Sequence, residues 1–273
     1  GVEIAKRAVD NAAYIAGSIG PTGLSPSELR RAEQKVTAAY TEQATCLDAN
    51  GVDLLMIETF YHPEELRLAV QAARKVSKLP IVAQIALDNE GKCMDGTEPV
   101  DLAKEIIEWG ADVVGANCNG GPGLIFDFVT KMVEAGAPVC TFPNAGRPQR
   151  VEDRQIYLAT PENFGVYARR LYKAGVKLVG GCCGTQPDHI KRVASAARMV
   201  SPIHSPSPVT ISEMDHHKEA TPVEDRSAFG GKLGQQFVFS VEVNPGPGLS
   251  TEKQLAAATM LIESGADVIN IAD

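Results

Sequence analysis

A chain of 273 residues, 44% hydrophobic and 22% charged, is long enough for one large domain with a full core and a further piece attached. Its formal charge of -8 excludes the basic face that nucleic acid requires and does not suit an anionic membrane surface. No apolar run reaches the ~20 residues that cross a bilayer, and no signal-peptide pattern opens the chain, so it reads as cytoplasmic with small molecules as partners. The six cysteines lack the regular spacing of a secreted disulfide framework and read as core residues or metal ligands.

Helical spacing of Val2, Ala5, Ala8, Val9 and Ala12 predicts a first helix, and the apolar stretch 13–19, stopped by Gly20-Pro21, predicts a strand. Ser25-Pro26-Ser27-Glu28 offers an N-cap, a first-turn proline and a carboxylate, opening a helix that runs to Ala49. Strands are then expected at 52–57, 81–87, 111–118, 138–143 and 176–180, as continuous apolar runs of the kind buried on both faces. Helices are expected between and after them at 63–76, 99–109, 123–135, 161–174 and 186–200. Such alternation, in units of roughly 30 residues, specifies a parallel sheet with helices outside.

Gly20, Glu58, Asp88, Cys118, Asn144 and Cys182 all fall at the C-terminal ends of successive strands. Polar residues converging on one rim favour a (β/α)8 TIM barrel over a doubly wound sheet. Only six strands are counted, so the barrel is expected to lack its first two, which would precede Gly1; the chain reads as an excised fragment. Residues 1–200 are then barrel strands 3 to 8, and 201–235, rich in Pro, Ser, His and Glu without periodicity, form a linker. Residues 236–273 read as the first β-α-β of a second barrel. The open edges of a six-stranded sheet invite pairing, and the two tail strands are expected to fold back into that gap.

Cys182 and Cys183 lie between glycines at a strand end, and Cys118 sits in a similar glycine-rich turn. A lone strand cysteine is normally a small core residue. Adjacent thiols in a turn have no packing rationale. A vicinal redox pair remains open, although the familiar C-x-x-C spacing is absent. Zinc accepts thiolates in tetrahedral sites and keeps one position open where it is catalytic. Three thiolates make it a poor generator of hydroxide but a good holder of another soft sulfur, whose pKa of about 8.5 it would lower. Sulfur alkylation is the chemistry implied, since a neutral thioether product binds weakly and leaves. Glu58 reads either as a rim salt bridge or as a partner for an ammonium group. Cys46, Cys93 and Cys140 read as ordinary residues; Asp88, Asn89 and Lys92, and His204, His216 and His217, read as solvated loop and tail.

The motifs G-A-N-C-N-G-G-P (115–122) and G-G-C-C-G-T (180–185), with A-G-S-I-G-P-T-G (16–23), I-E-T-F (57–60) and F-P-N-A-G-R-P (142–148), resemble the zinc-dependent homocysteine S-methyltransferase family over residues 1–200. The resemblance implies a (β/α)8 barrel, zinc on Cys118, Cys182 and Cys183, and methyl transfer from a small donor to the thiol of homocysteine. It implies that Glu58 holds the amino group of homocysteine, with Asn117 and Asn144 beside zinc and substrate. The first strand of the family, with its aspartate and glycine turn, has no counterpart here. No D-x-H-x-x-G cobalamin motif occurs, and the single tryptophan, Trp109, lies in a helix rather than a betaine cage. S-methylmethionine, S-adenosylmethionine and a methyl-folate remain open as donors. Residues 237–245 and A-D-V-I-N-I-A-D (266–273) resemble the opening of a methylenetetrahydrofolate reductase. That implies Glu242 as a proton-transferring catalytic acid and FAD only in a full-length parent. A flavin reductase is therefore the alternative function, and a fold merely pinned by zinc is a third.

Overall fold

The computed structural model describes residues 1–9, 12–118, 120–151, 154–200, 222, 225, 227–233, 235–238, 240–243 and 252–271. From the N-terminus the chain forms α1 (Val2–Val9), β1 (Tyr14–Ile19), α2 (Pro26–Ala49), β2 (Leu54–Phe60), α3 (Pro63–Val76), β3 (Ile81–Ala86) and α4 (Pro99–Trp109). It continues with β4 (Val113–Asn117), α5 (Pro122–Met132), β5 (Val139–Phe142), a hairpin of β6 (Gln149–Val151) and β7 (Arg154–Ile156), α6 (Pro161–Lys173), β8 (Leu178–Val179) and α7 (Pro187–Met199). The remaining described elements are α8 (Ala228–Lys232), β9 (Ser240–Val243), α9 (Glu252–Glu263) and β10 (Val268–Ile271).

Local chemistry explains the boundaries. Ser25 caps α2 in a full capping box with Glu28, Thr160 caps α6 through its side chain, and Gly110 ends α4 in the left-handed region at φ 112°. Proline occupies the first turn of each helix from α2 to α7, where its missing N–H has no helical partner to lose. All six residues of β3 are buried, as a parallel strand covered on both faces requires. Alternate strand residues, among them Ala16, Leu54, Met56, Val82, Val113, Cys140, Leu178, Val238 and Val268, fill the lumen, while their neighbours pack outward under the helices.

Eight strands form one sheet in the order β8-β5-β4-β3-β2-β1-β10-β9, and every pairing in it is parallel. Its two ends meet through single parallel bridges, Leu178 with Val238 and Gly181 with Val241. The result is a nearly closed TIM-type barrel. The expectation of a barrel short of two strands is thereby corrected: the tail fills both vacant places. Tyr14 pairs with Val268 and Gly17 with Ile271, while Ser240 pairs with Val268 and Val243 with Ile271. In the described residues the tail strands therefore belong to the same sheet as β1 rather than opening a second one. A parallel edge exposes unpaired N–H and C=O groups, and the tail strands pair with them.

The helices close their own ring. α9 packs on α7 at one side and on α1 at the other, and α1 lies against β1 and β10. α1 thus covers the join between the last strand and the first. Two elements were not expected from the sequence: the β6–β7 hairpin, and α8 within the stretch read as linker. α8 places Phe229, fully buried, in the lumen against Tyr14, ring centres 5.6 Å apart at 74°. The Tyr14 hydroxyl donates to Ala228 O at 3.0 Å. Because α8 precedes β9, this plug seals the end of the barrel opposite the cysteine rim. Among the described residues no helix is long and apolar enough to cross a membrane.

Candidate metal centre

Cys118 follows β4. Its N–H donates to Phe142 O at 3.0 Å, continuing the ladder, and a φ of 61° then turns the chain so that Gly120 N–H meets Cys118 O at 2.8 Å. A non-glycine residue in the left-handed region costs of order 1–3 kcal/mol and persists only where its surroundings hold it. Here β5 and the turn do so.

Cys182 and Cys183 follow β8. The N–H of Cys182 donates to Pro143 O at 2.9 Å, that of Cys183 to Asn144 Oδ1 at 3.0 Å, and that of Ala145 to Cys183 O at 2.9 Å. The Asn144 N–H donates to Gly120 O at 2.9 Å, so one asparagine ties the Cys118 turn to the vicinal cysteines. Gly184, at φ 77°, admits this fold, and a Cβ there would lie 2.3 Å from the Tyr157 ring. His189 secures the far side: Nδ1 accepts from Gln186 N–H at 3.1 Å, leaving Nε2 as donor to Ala159 O at 2.9 Å.

The three sulfurs lie within 4.8 Å of one another, with Cys182 and Cys183 Sγ 3.9 Å apart. Tetrahedral ligands at about 2.3 Å from zinc stand roughly 3.8 Å apart, so the set fits that ion. At that separation Cys182 and Cys183 are not disulfide-bonded, and all six cysteines are free. Hydrogen bonding with Cys118, then with Cys183, together with burial pushes the Cys182 thiol far up. The Cys118 contact raises Cys183 as well. Crowded thiols hold their protons until a cation offsets their charge. Tyr157, hydrogen-bonded to Cys183, and Tyr61 flank the cluster; burial first and the cysteine charges second raise both phenols.

Glu58 is 4% exposed, within the lumen end of β2. Ser18 Oγ donates to its Oε1 at 2.9 Å, and Asn270 Nδ2, from β10, donates to the same oxygen. Asn117 Nδ2 approaches Glu58 Oε2 at 3.5 Å and donates to Thr59 Oγ1 at 2.8 Å, while Asn117 Oδ1 accepts from Thr59 N–H at 2.9 Å. Thr59, at φ 66°, is the second non-glycine residue in the left-handed region, and a register shift between Ile57 and Phe60 accompanies it. Asn117 therefore holds the bend that presents Glu58. The Glu58 carboxylate is buried and accepts from the neutral donors Ser18 and Asn270.

These contacts connect the family motifs physically. The profile of the homocysteine S-methyltransferase family matches residues 1–197. The chain belongs to that family. Among curated relatives, methionine synthase of Mycobacterium leprae is 30% identical over 194 residues, covering 68% of this chain and 16% of that protein. Betaine–homocysteine S-methyltransferase 1 of Danio rerio is 31% identical over 209 residues, covering 67% and 49%. The chain thus spans about half or less of the relatives it matches. Among solved structures, apo MmuM, a homocysteine methyltransferase of Escherichia coli, superposes with a TM-score of 0.54 at 22% identity over 67% of this chain and 63% of that one. A metallated form of MmuM gives a TM-score of 0.50 at 22% identity, covering 68% and 61%. At that identity both support the barrel fold alone.

Of the residues singled out in the sequence, the structure brings Cys118, Cys182 and Cys183 together and places Asn117, Asn144 and Glu58 on the same rim. Asn144 Oδ1 accepts from the Cys183 N–H. Glu242 sits on β9 opposite Asn270, and its side chain lies outside the described residues; so do His204, His216 and His217. Cys140 faces the lumen and accepts from Gln84 Nε2 at 3.3 Å, and Cys93 is a buried thiol that burial pushes up to about 12. Ser18, Glu65 and Asn270 were missed. Glu65, 2% exposed, accepts from Thr22 N–H, Thr22 Oγ1 and Tyr40 OH at 2.8, 2.6 and 2.8 Å, anchoring the loop after β1 to α3. Nothing but the family motif around Thr22 hinted at that anchor.

Proposed function

We propose that this chain binds zinc through Cys118, Cys182 and Cys183 and transfers a methyl group to the thiol of homocysteine, forming methionine. The supporting observation is three sulfurs within 4.8 Å of one another on a barrel rim that also carries a buried carboxylate, in a chain of this family. Zinc, when bound by three thiolates, stabilises a fourth sulfur as a thiolate at neutral pH, ready to attack a methyl group.

The chain's own residues supply position. Glu58, fixed by Ser18 and Asn270, provides the negative charge for the amino group of homocysteine. Asn144 and Ala145 hold the backbone of Cys183, and the left-handed turn at Cys118 aims its sulfur at the same point. The Tyr157 ring packs over Gly184 at the edge of the cluster. The donor must release a stable leaving group as its methyl moves to sulfur: the sulfonium of S-methylmethionine or S-adenosylmethionine leaves as a neutral thioether, and the N5 of a methyl-folate leaves as a neutral amine once it is protonated.

The test is methionine formation by the purified chain from homocysteine with each of these donors, alongside Cys182→Ser. Methionine from at least one donor, abolished by chelation and by Cys182→Ser, is expected. No product with any donor, or product unaffected by Cys182→Ser, would overturn the proposal.

A further inference from the structure

The lumen just below the metal centre is lined by polar side chains from both ends of the chain. Ser18, Glu58, Gln84, Asn117, Ser240 and Asn270 alternate with apolar neighbours along their strands, and the last two come from the tail. Three buried atoms among them have no hydrogen-bond partner: Gln84 Oε1, Ser240 Oγ and Asn270 Oδ1. Asn270 and Ser240 are each 1% exposed and Gln84 is 0% exposed. A buried acceptor without a donor is costly, so such a set persists where something else satisfies it.

The chemistry of the set points to a cation. Two of the three orphan atoms are amide carbonyl oxygens, which only accept, and the third is a hydroxyl that can accept. Asn270 joins them to Glu58. Its Nδ2 donates to Glu58 Oε1, and the oxygen of the same amide, Oδ1, is the acceptor left without a donor. A carboxylate next to an unfilled carbonyl oxygen suits a group with several N–H donors and a positive charge, which describes an ammonium.

We propose that Asn270 is a substrate-positioning residue supplied by the C-terminal segment: Nδ2 orients Glu58, and Oδ1 accepts a second hydrogen from the α-ammonium group of homocysteine. This deepens the proposed function and rests on it. Asn270 lies 212 residues from Glu58 in sequence and beyond the 1–197 match, so the family motifs do not contain it. Barrel closure by the tail then completes the amino-acid subsite as well as the fold.

Calorimetric titration of the zinc-loaded chain with homocysteine and with 4-sulfanylbutanoate, which keeps the thiol and carboxylate but lacks the amine, tests this. The native chain should bind homocysteine at least tenfold more tightly. Asn270→Leu should weaken homocysteine about tenfold or more, the range of a hydrogen bond to a charged group, and leave 4-sulfanylbutanoate within about threefold. Equal weakening of both thiols, or of neither, overturns the proposal, because a structural role or a trapped water predicts no dependence on the amine. If circular dichroism shows Asn270→Leu unfolded, Asn270→Ser decides by the same ratio. A native chain that binds both thiols equally through zinc refutes the subsite and spares the proposed function. One that binds neither refutes the proposed function itself.

Discussion

Replacing Phe229 by alanine removes the ring that plugs the barrel end opposite the cysteines. Phe229 is fully buried and packs edge-on against Tyr14 at 5.6 Å, while the Tyr14 hydroxyl reaches Ala228 O at 3.0 Å. Truncating a buried Phe costs about 3–5 kcal/mol, of which the aromatic pair contributes roughly 0.5–1.5 kcal/mol. Small relaxation is expected in the lumen, because Leu54, Val113 and Val268 are held by the strands that carry them. The loss is a large share of the ~5–15 kcal/mol that a domain typically has. Equilibrium urea unfolding measures it, with Met260→Ala on α9 as a control: Met260 is 53% exposed, and its truncation should change stability by about 0.5 kcal/mol or less. A loss below about 1 kcal/mol for Phe229→Ala would refute the plug and with it the docking of α8.

Gly180→Ala should open the seam between β8 and β9, since its Cβ would lie 2.2 Å from Ser240 O and 2.7 Å from the Phe142 ring; a loss of about 1–3 kcal/mol and faster amide exchange at Val241 are expected. Asn144→Ala removes the acceptor for Cys183 N–H and should weaken zinc affinity about 10–100-fold in a chelator competition, with little change in melting temperature of the zinc-free chain. Burial raises the Asp53 carboxyl, against a hydrogen bond from Ile15 N–H and the charge of Lys6. The folded chain therefore binds that proton more tightly than the unfolded one, and this group's contribution falls as pH rises from below 3.8 through its raised value. Asp53→Asn, which keeps an acceptor for Ile15 N–H, should accordingly be more stable than the native chain at neutral pH. The advantage should vanish in urea melts below the unfolded carboxylate pKa, and a larger advantage in acid would contradict the sign.

Much of the barrel was legible because parallel strands buried on both faces write themselves as apolar runs, and the residue ending each run marks the rim. Cys118 and the Cys182–Cys183 pair were visible for that reason. The left-handed turns at Thr59 and Cys118 were not, because neither residue is glycine and the asparagine and strand contacts that hold them are tertiary. α8 escaped because five residues, two of them glycine, carry no usable helical period. Tail closure was anticipated from open edges, whereas the β-α-β appearance of 236–273 equally suggested a separate barrel, and local pattern cannot say which sheet a strand joins. The pairing of Asn270 with Glu58 is of the same kind: each residue looks ordinary until the strands are placed.

Zinc content and homocysteine binding, measured on the same preparation before and after chelation, decide whether the three cysteines hold zinc for a substrate thiol. One zinc per chain is predicted, with homocysteine binding that disappears on chelation and returns when zinc is restored. Less than half an equivalent of zinc, or binding that survives its removal, would show that the cysteines do not hold zinc for the substrate.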